Sequence, residues 1–432
     1  MRRYFIVLLI IATAVLSSCT SGIDYSTLDA MMGRGECDAA PEYIEQGADR
    51  YGDNARLLYH LDLAMVNMLC GKHEDSNRSF RNAEDIAEEL WTKSITREAA
   101  SFLLNDYTKP YAGEDYERAL INLLSAINYA VIGDHDGSLV EVRRLDANLL
   151  DFNDRYEKKN IYKEDAFGRY LSGVIYEASG KLDDAFIDYL KAYNIYGDYR
   201  ENYGTYRPEI LIEDLIRVAR KLRRDNEITH IIEANDGRYD EKFDAGRYGK
   251  VVMIHFNGVA PVKVDDKFIF HSSSGPITVA FPSMIVKEPV CRHSRMTLIS
   301  GDKVRSFDSE LVEDINGIAL KTLDDRRGRL TLKEITRVFL KQGVINAATD
   351  HIDDEGARLL AKVLLNVVNI AVEQADTRSW RTLPGEVHMA RAFVPPGNYW
   401  VNADSCGSES TLIPSLSIKA GETKFLLFET MY

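Results

Sequence analysis

Three small groups of residues in this 432-residue chain could do chemistry, and each is incomplete. Cys291-Arg292-His293 sets a thiol and an imidazole two residues apart. A tetrahedral zinc site needs four such ligands, and no second pair stands out, so a loop cysteine beside a solvated histidine is expected. His351-x-Asp353-Asp354-Glu355 is acidic enough to attract calcium but lacks the alternating oxygens and central glycine of a calcium loop. Carboxylates there suit the positive end of a helix instead. Arg378, Trp380 and Arg381 form the most distinctive polar–aromatic group. It reads as a ligand cluster for an anion or a sugar, with Trp380 as stacking face, or else Trp380 plugs the junction between the last long helix and the terminal β module while the arginines pair local acids. Gly-x-Ser-x-Gly, His-Glu-x-x-His, the phosphate-binding loop and the dinucleotide glycine fingerprint are absent. The sequence therefore predicts no catalytic residue, no metal and no cofactor, and a small-molecule ligand is not expected.

The elements that would position such groups begin with a targeting segment. Arg2 and Arg3 precede an apolar run from Phe5 to Leu16, which closes on Leu16-Ser17-Ser18-Cys19. Twelve residues are too few to span a bilayer, so the run reads as the h-region of a signal peptide over 1–18. The Leu-Ser-Ser-Cys end resembles the bacterial lipobox, which implies lipidation at Cys19 and a tether over 19–34. Three acyl chains, at ~0.8 kcal/mol per buried methylene, would hold such a protein permanently. Thr20 and Ser21 follow, with no aspartate at the second position. That resembles the pattern sorted to the Gram-negative outer membrane, facing the periplasm.

Removing residues 1–18, which carry two arginines and no acids, takes the formal charge from −14 to −16. Such a charge argues against nucleic acid or anionic lipid headgroups as partners. Four cysteines remain beyond Cys19: Cys37, Cys70, Cys291 and Cys406. An oxidising periplasm permits disulfides, and Cys37 and Cys70 could meet on neighbouring helices.

From Glu42 to Glu233 apolar residues recur at helical spacing, and a repeat is present. Gly35, Gly71, Gly133 and Gly180 each open the same pattern. Five residues on stand Ala40, Ser76, Ser138 and Ala185; nine on, Ile44, Phe80, Val142 and Tyr189; twelve on, Gly47, Ala83, Leu145 and Ala192. Seven before the last three glycines stand Ala64, Ala126 and Gly173. The pattern resembles the tetratricopeptide repeat, best in Tyr170–Tyr193. Glycine spacings of 36, 62 and 47 against a family period of about 34 imply insertions near Trp91–Tyr116 and Asp151–Tyr162.

The resemblance implies an inner, partner-binding groove of Leu58, Leu61, Met65, Leu120, Leu123, Ile127, Phe167, Tyr170 and Val174. So long an apolar stripe needs a cover, from this chain or from a partner's helix.

The second half is mixed. Lys250–Phe256 reads as a strand ending in an Asn257-Gly258 turn, with further strands at Val262–Phe270 and Ile277–Phe281. Helices are expected at Leu311–Asp324, Leu332–Gln342 and Glu355–Ala375. The last leaves only Arg358, Lys362, Asn366 and Asn369 as a polar stripe. A strand at Asn398–Asn402 and a hairpin of Ser415–Lys419 with Glu422–Phe428 over Ala420-Gly421 close the chain. That end resembles the small β-sandwich modules of bacterial envelope proteins.

The fold class expected is α+β, with a helical repeat domain over 35–236, a mixed domain over 237–390 and a β module over 391–432. Tyr116–Arg144, Asn257–Lys263 and Ala375–Pro384 together resemble a group of uncharacterised tetratricopeptide-containing lipoproteins of Gram-negative bacteria. The resemblance implies a non-enzymatic outer-membrane scaffold for envelope proteins. A glycan- or nutrient-binding lipoprotein is the alternative, although such proteins are richer in tryptophan than this chain, which has three.

Overall fold

The computed structural model describes residues 22–97, 109–155, 162, 164–235, 245–272, 275–326, 347, 349, 351, 354–356, 358, 361, 375–406 and 411–432. The helical part comprises α1 (Tyr25–Gly33), α2 (Ala39–Gln46), α3 (Ala48–Tyr51), α4 (Arg56–Leu69), α5 (His73–Arg97), α6 (Asp115–Val131), α7 (His135–Arg155), α8 (Ala166–Ala178), α9 (Leu182–Tyr203), α10 (Glu209–Leu222) and α11 (Thr229–Ala234).

Each repeat glycine ends the first helix of a pair in the same way. Gly71, Gly133 and Gly180 adopt φ of +71°, +82° and +75°, where a side chain would be strained. The glycine and the residue after it return their N–H groups to the preceding turn, as in Gly71 N–H to Met68 O (3.0 Å) and Lys72 N–H to Asn67 O (2.8 Å). The same bonds recur at Gly133–Asp134 and Gly180–Lys181. The hydroxyl five residues on then ties the second helix to the first. Ser76 Oγ donates to Ala64 O and Ser138 Oγ to Ala126 O, both at 2.7 Å. In the last pair the contact is steric: a Cβ on Gly173 would lie 2.4 Å from the Tyr189 ring. Ile44, Phe80, Val142 and Tyr189 are all at most 1% exposed, filling the space between helices as the spacing requires. The N-terminal half is an array of tetratricopeptide-like repeats, and the chain is α+β.

Among the described residues ten strands follow: β1 (Gly249–Val259), β2 (Val262–Ser272), β3 (Gly275–Ile285), β4 (Ser294–Ser300), β5 (Lys303–Asp308), β6 (Glu310–Asp314), β7 (Pro384–Val394), β8 (Gly397–Ser405), β9 (Thr411–Ile418) and β10 (Thr423–Thr430). A helix, α12, runs over 315–326 between β6 and β7. One four-stranded sheet has the order β10-β1-β7-β6 and another β5-β4-β8-β9, while β2 and β3 form a two-stranded ribbon. In the first sheet β1 pairs parallel with β10 and antiparallel with β7.

The period-2 alternation of that sheet places its two faces in different cores. Val252, Ile254, Phe256, Val387, Met389 and Phe425 share one core with the helices. Val251, Met253, Ala390 and Ala392 pack instead against Met296, Leu298, Val401 and Ala403 of the second sheet.

Several expectations need correction. Asn257-Gly258 is no turn: β1 continues to Val259, because Asn257 pairs in register with both Glu386 and Thr430. The helix expected from Leu311 begins only at 315, since Glu310–Asp314 is claimed by pairing with β7. No hairpin forms over Ala420-Gly421. β9 pairs with β8 in one sheet and β10 with β1 in the other, so the turn joins two sheets. The expected boundary at 390/391 falls inside β7, and residues 391–432 do not stand as a separate module. Cys19, residues 1–18, Leu332–Gln342 and most of Glu355–Ala375 lie outside the described residues. Of the acidic run at 351–355, Glu355 is helical and Arg358 N–H donates to Asp354 O at 2.9 Å, as a helix start should.

Candidate functional site

The nine residues expected to line a partner groove are core. Leu58, Leu61, Met65, Leu120, Leu123, Ile127, Phe167, Tyr170 and Val174 are each at most 4% exposed. They share their core with residues of β1, β6, β7, β10 and α12. The chain therefore covers its own repeat face, with residues from distant stretches of sequence, and these side chains are not available to a partner.

Buried ion pairs fix this junction. Glu177 at the end of α8 receives Arg217 of α10 at 2.7 Å and Lys250 of β1 at 2.5 Å. Arg217 also binds Asp214 at 2.6 Å, and Arg391 of β7 reaches Glu213 at 2.6 Å and Asp214 at 3.3 Å. Three acids face three bases, and all but Glu213 have side chains under 10% exposed. The Phe393 ring lies 5.0–5.3 Å from the charges of Arg217, Lys250 and Arg391. Burial works to raise the Glu177 carboxyl, but Lys250 and Arg217 outweigh it and hold the group ionised.

A second junction surrounds the start of α6. Glu114 caps that helix in a reciprocal capping box with Glu117, and also accepts from Lys263 (2.5 Å) and Arg326. Burial opposes ionisation of Glu114; Arg326 and Lys263 prevail and bring it to about 2. Trp380 N–H donates to Glu117 Oε1 at 2.9 Å.

Trp380 itself is 1% exposed, with its ring edge against Phe80 at a centroid distance of 6.0 Å. Its Nε1–H donates to Thr382 Oγ1 (3.0 Å), whose hydroxyl donates to Asp62 (2.8 Å). Trp380 is buried against a repeat helix and offers no stacking face; the last long helix, whose junction it was expected to plug, lies almost wholly outside the described residues. Arg378 is held by Asp376 (2.7 Å) and by Asn54 O (2.8 Å). Arg381 lies 4.3 Å over the Tyr25 ring. The two arginines, without Trp380, line a hollow of about 540 Å³ together with Arg50, Tyr51 and Ser379.

Asp62 was not singled out from the sequence, yet it anchors this region. It accepts from Tyr25 OH (2.7 Å), Tyr51 OH (2.8 Å) and Thr382 while fully buried, and burial pushes its carboxyl up to about 6. The available signal was one acid inside the apolar run Leu57–Met68.

Cys37 and Cys70 are joined by a disulfide, their Cα atoms 5.2 Å apart. Cys291 is a loop cysteine, as expected, and its pairing, left open by the sequence, is with Cys406, 115 residues on. His293 is thus left without a neighbouring thiolate. Among the described residues no three His, Cys, Asp or Glu side chains converge as a metal cluster would, and no helix is long and apolar enough to cross a membrane.

No protein-family model and no curated protein matches this chain. Solved structures of repeat proteins do. Nearly identical TPR-like repeats of a kinesin light chain from Podosopora anserina superpose at TM-score 0.31 and 13% identity, over 48% of this chain and 89% of that one. A tetratricopeptide repeat protein from Parabacteroides merdae matches at TM-score 0.21 and 12% identity, over 50% and 78%. At such scores these superpositions assign no residue a role, and the repeat character of this chain stands on its own glycine turns and helix contacts.

Proposed function

We propose that this protein is a non-enzymatic scaffold, attached by lipid at Cys19 to the outer membrane and holding protein partners in the cell envelope. The observation that carries the reading is the use made of the repeat array. Its inner face clamps the chain's own sheet through buried ion pairs, giving a stiff platform whose outer helices remain free to present side chains. Val140 and Ile187, each seven residues after its repeat glycine, are 44% and 42% exposed on α7 and α9. The lipobox supports the anchor, and the charge of −16 on residues 19–432 favours protein partners over nucleic acid.

The test is in-cell photo-crosslinking from Val140 and Ile187, with Tyr170 as the buried control. One recurrent envelope protein from the outer positions, and only intrachain products from Tyr170, are expected. Intrachain products from all three positions would overturn the proposal. Palmitate labelling that persists in Cys19→Ala would remove the anchor from it. The hollow beside Arg378 and Arg381 favours one second reading, a glycan- or nutrient-binding lipoprotein. Glycan-array binding lost in Arg381→Ala would establish that reading in place of the first.

A further inference from the structure

The hollow of about 540 Å³ near Gly22 has a wall of the opposite charge to the chain around it. Arg50, Arg378 and Arg381 line it against a single acid, Asp53. Residues 19–432 together carry a formal −16. That total argues against a broad anionic surface as partner, not against one anion in a hollow walled by guanidinium groups.

The three guanidinium groups differ in what they have left to give. Arg378 is spent: its Nε and Nη2 donate to Asp376 at 2.8 and 2.7 Å, and its Nη1 to Asn54 O at 2.8 Å. Arg381 lies 4.3 Å over the Tyr25 ring and Arg50 6.0 Å from the centre of the Tyr43 ring. Neither has a hydrogen-bond or ion-pair partner among the described residues. Asp62 and Asp29 attract Arg381 through space without bonding to it. Asp62 is already occupied by the hydroxyls of Tyr25, Tyr51 and Thr382. A stack on a ring uses the face of a guanidinium and leaves its in-plane fork of N–H donors open. Arg381 is half-buried, and its nitrogens keep contact with solvent.

Two open forks and a third positive charge suit a dianion better than a carboxylate. A phosphomonoester carries a charge of about −1.5 to −2 and three acceptor oxygens, and guanidinium groups bind it bidentately. The space is ample for a small molecule or a headgroup. Gly22 and Ile23 line the same hollow, and Gly22 is three residues beyond Cys19, a reach of at most ~11 Å of extended chain. With lipid at Cys19, the hollow sits beside the headgroups of the membrane.

We infer that this hollow binds a phosphomonoester through Arg381 and Arg50, with a lipid headgroup as its source. The inference shares the hollow with the glycan reading but not the neutral sugar, and rests on the scaffold reading only for the position of the lipid.

Isothermal titration of the whole chain with glycerol 3-phosphate, and with glycerol, tests the site. The phosphate should bind at least about tenfold more tightly than glycerol. Arg381→Gln and Arg50→Gln should each lose most of that preference. Arg50 is exposed, so its variant should keep the parent melting temperature and remains informative even where loss of the Tyr25 stack disturbs the Arg381 variant. Asp53→Asn, which removes the one acid of the wall, should tighten binding. Equal affinity for the two probes, no saturable binding up to ~10 mM, or indifference to both arginine variants would overturn the inference. Neutral glycans captured on an array beside such a result would leave the glycan reading standing and this one not. Flotation with vesicles of phosphatidylcholine, alone or mixed with phosphatidic acid, separates the sources, since the anchor contributes equally to both. Recovery that rises with phosphatidic acid and falls in Arg50→Gln supports the headgroup. Recovery indifferent to phosphatidic acid, with glycerol 3-phosphate still bound, would overturn the lipid source and assign the site to a free phosphomonoester.

Discussion

Gly173 and Gly180 occupy the same helical pair and should respond to the same substitution for different reasons. A methyl at Gly173 meets Tyr189 Cδ1 at 2.4 Å, with a buried ring that cannot move aside. Gly173→Ala should cost about 1–3 kcal/mol as overpacking. Gly180 has open space around it but a φ of +75°, so Gly180→Ala should cost about 1 kcal/mol in backbone strain. Urea titration of both variants checks this, and an unchanged midpoint in either would contradict it. Both glycines were legible in the sequence because repeat chemistry is local and recurs at fixed spacing. Asp62 was not, because its partners Tyr25, Tyr51 and Thr382 come together only in the fold. Burial lifts its carboxyl from an ordinary 3.8 to about 6. Between those values the folded state holds the proton that the unfolded state has lost, so this group's contribution to stability falls as pH rises through the window. Glu114, held at about 2, contributes oppositely: its stabilisation is present above 4.5 and is lost as pH falls toward 2. Asp62→Asn should flatten the decline in melting temperature from pH ~4 to ~6, and an unaltered slope would exclude Asp62 as its source.

At the level of elements, β1, β2, β3, β8, β9 and β10 were readable, β4, β5 and β7 were not, β6 was read as the start of a helix, and the pairings were not legible. Lys250–Phe256 has the near-continuous apolar run of a central strand, and β1 is that. Ala420-Gly421 has the chemistry of a tight turn, with Gly421 at φ +73°, and the turn does form. Turn chemistry states only that the chain reverses; whether the flanking strands pair depends on competition from elsewhere. Here β1, more than 160 residues upstream, takes β10 along eight residues. The disulfides show the same division. Cys37 and Cys70 flank equivalent turns of adjacent helical pairs, so repeat spacing brought them together on paper; Cys291 and Cys406 needed the β4–β8 pairing, in which Ser294 lies opposite Ser405. A Cys37→Ser, Cys70→Ser variant should be destabilised by about 4 kcal/mol, the chain-entropy value for a crosslink spanning 33 residues. A denaturant midpoint indifferent both to this substitution and to reductant would show that the bond does not constrain the unfolded chain.

For the whole molecule, the decisive fact is that the array and the first sheet share one core, with Lys250 and Arg391 of the sheet reaching acids of α8 and α10. The apolar stripe was visible in the sequence as a surface needing a cover. Its cover was not, being assembled from residues of β1, β6, α12, β7 and β10 that no local pattern connects. Neither half should be stable alone. A fragment ending at residue 235 would expose Leu58, Leu120 and Tyr170 and leave Glu177 and Asp214 with Arg217 as their sole described cation. It should self-associate and bind a hydrophobic dye, whereas the whole chain should melt in one transition. Within the whole chain, Lys250→Met should cost about 3 kcal/mol, the low end for breaking a buried pair, because Glu177 loses one of its two buried cations and keeps Arg217. Adding Glu177→Gln should recover part of that loss by removing the charge Lys250 served, although Arg217 then loses a partner. Calorimetry on the two single variants and the double one decides the matter. Strict additivity would mean the ion pair does not couple sheet to array, and a monomeric, cooperatively folded fragment would mean the array needs no sheet at all.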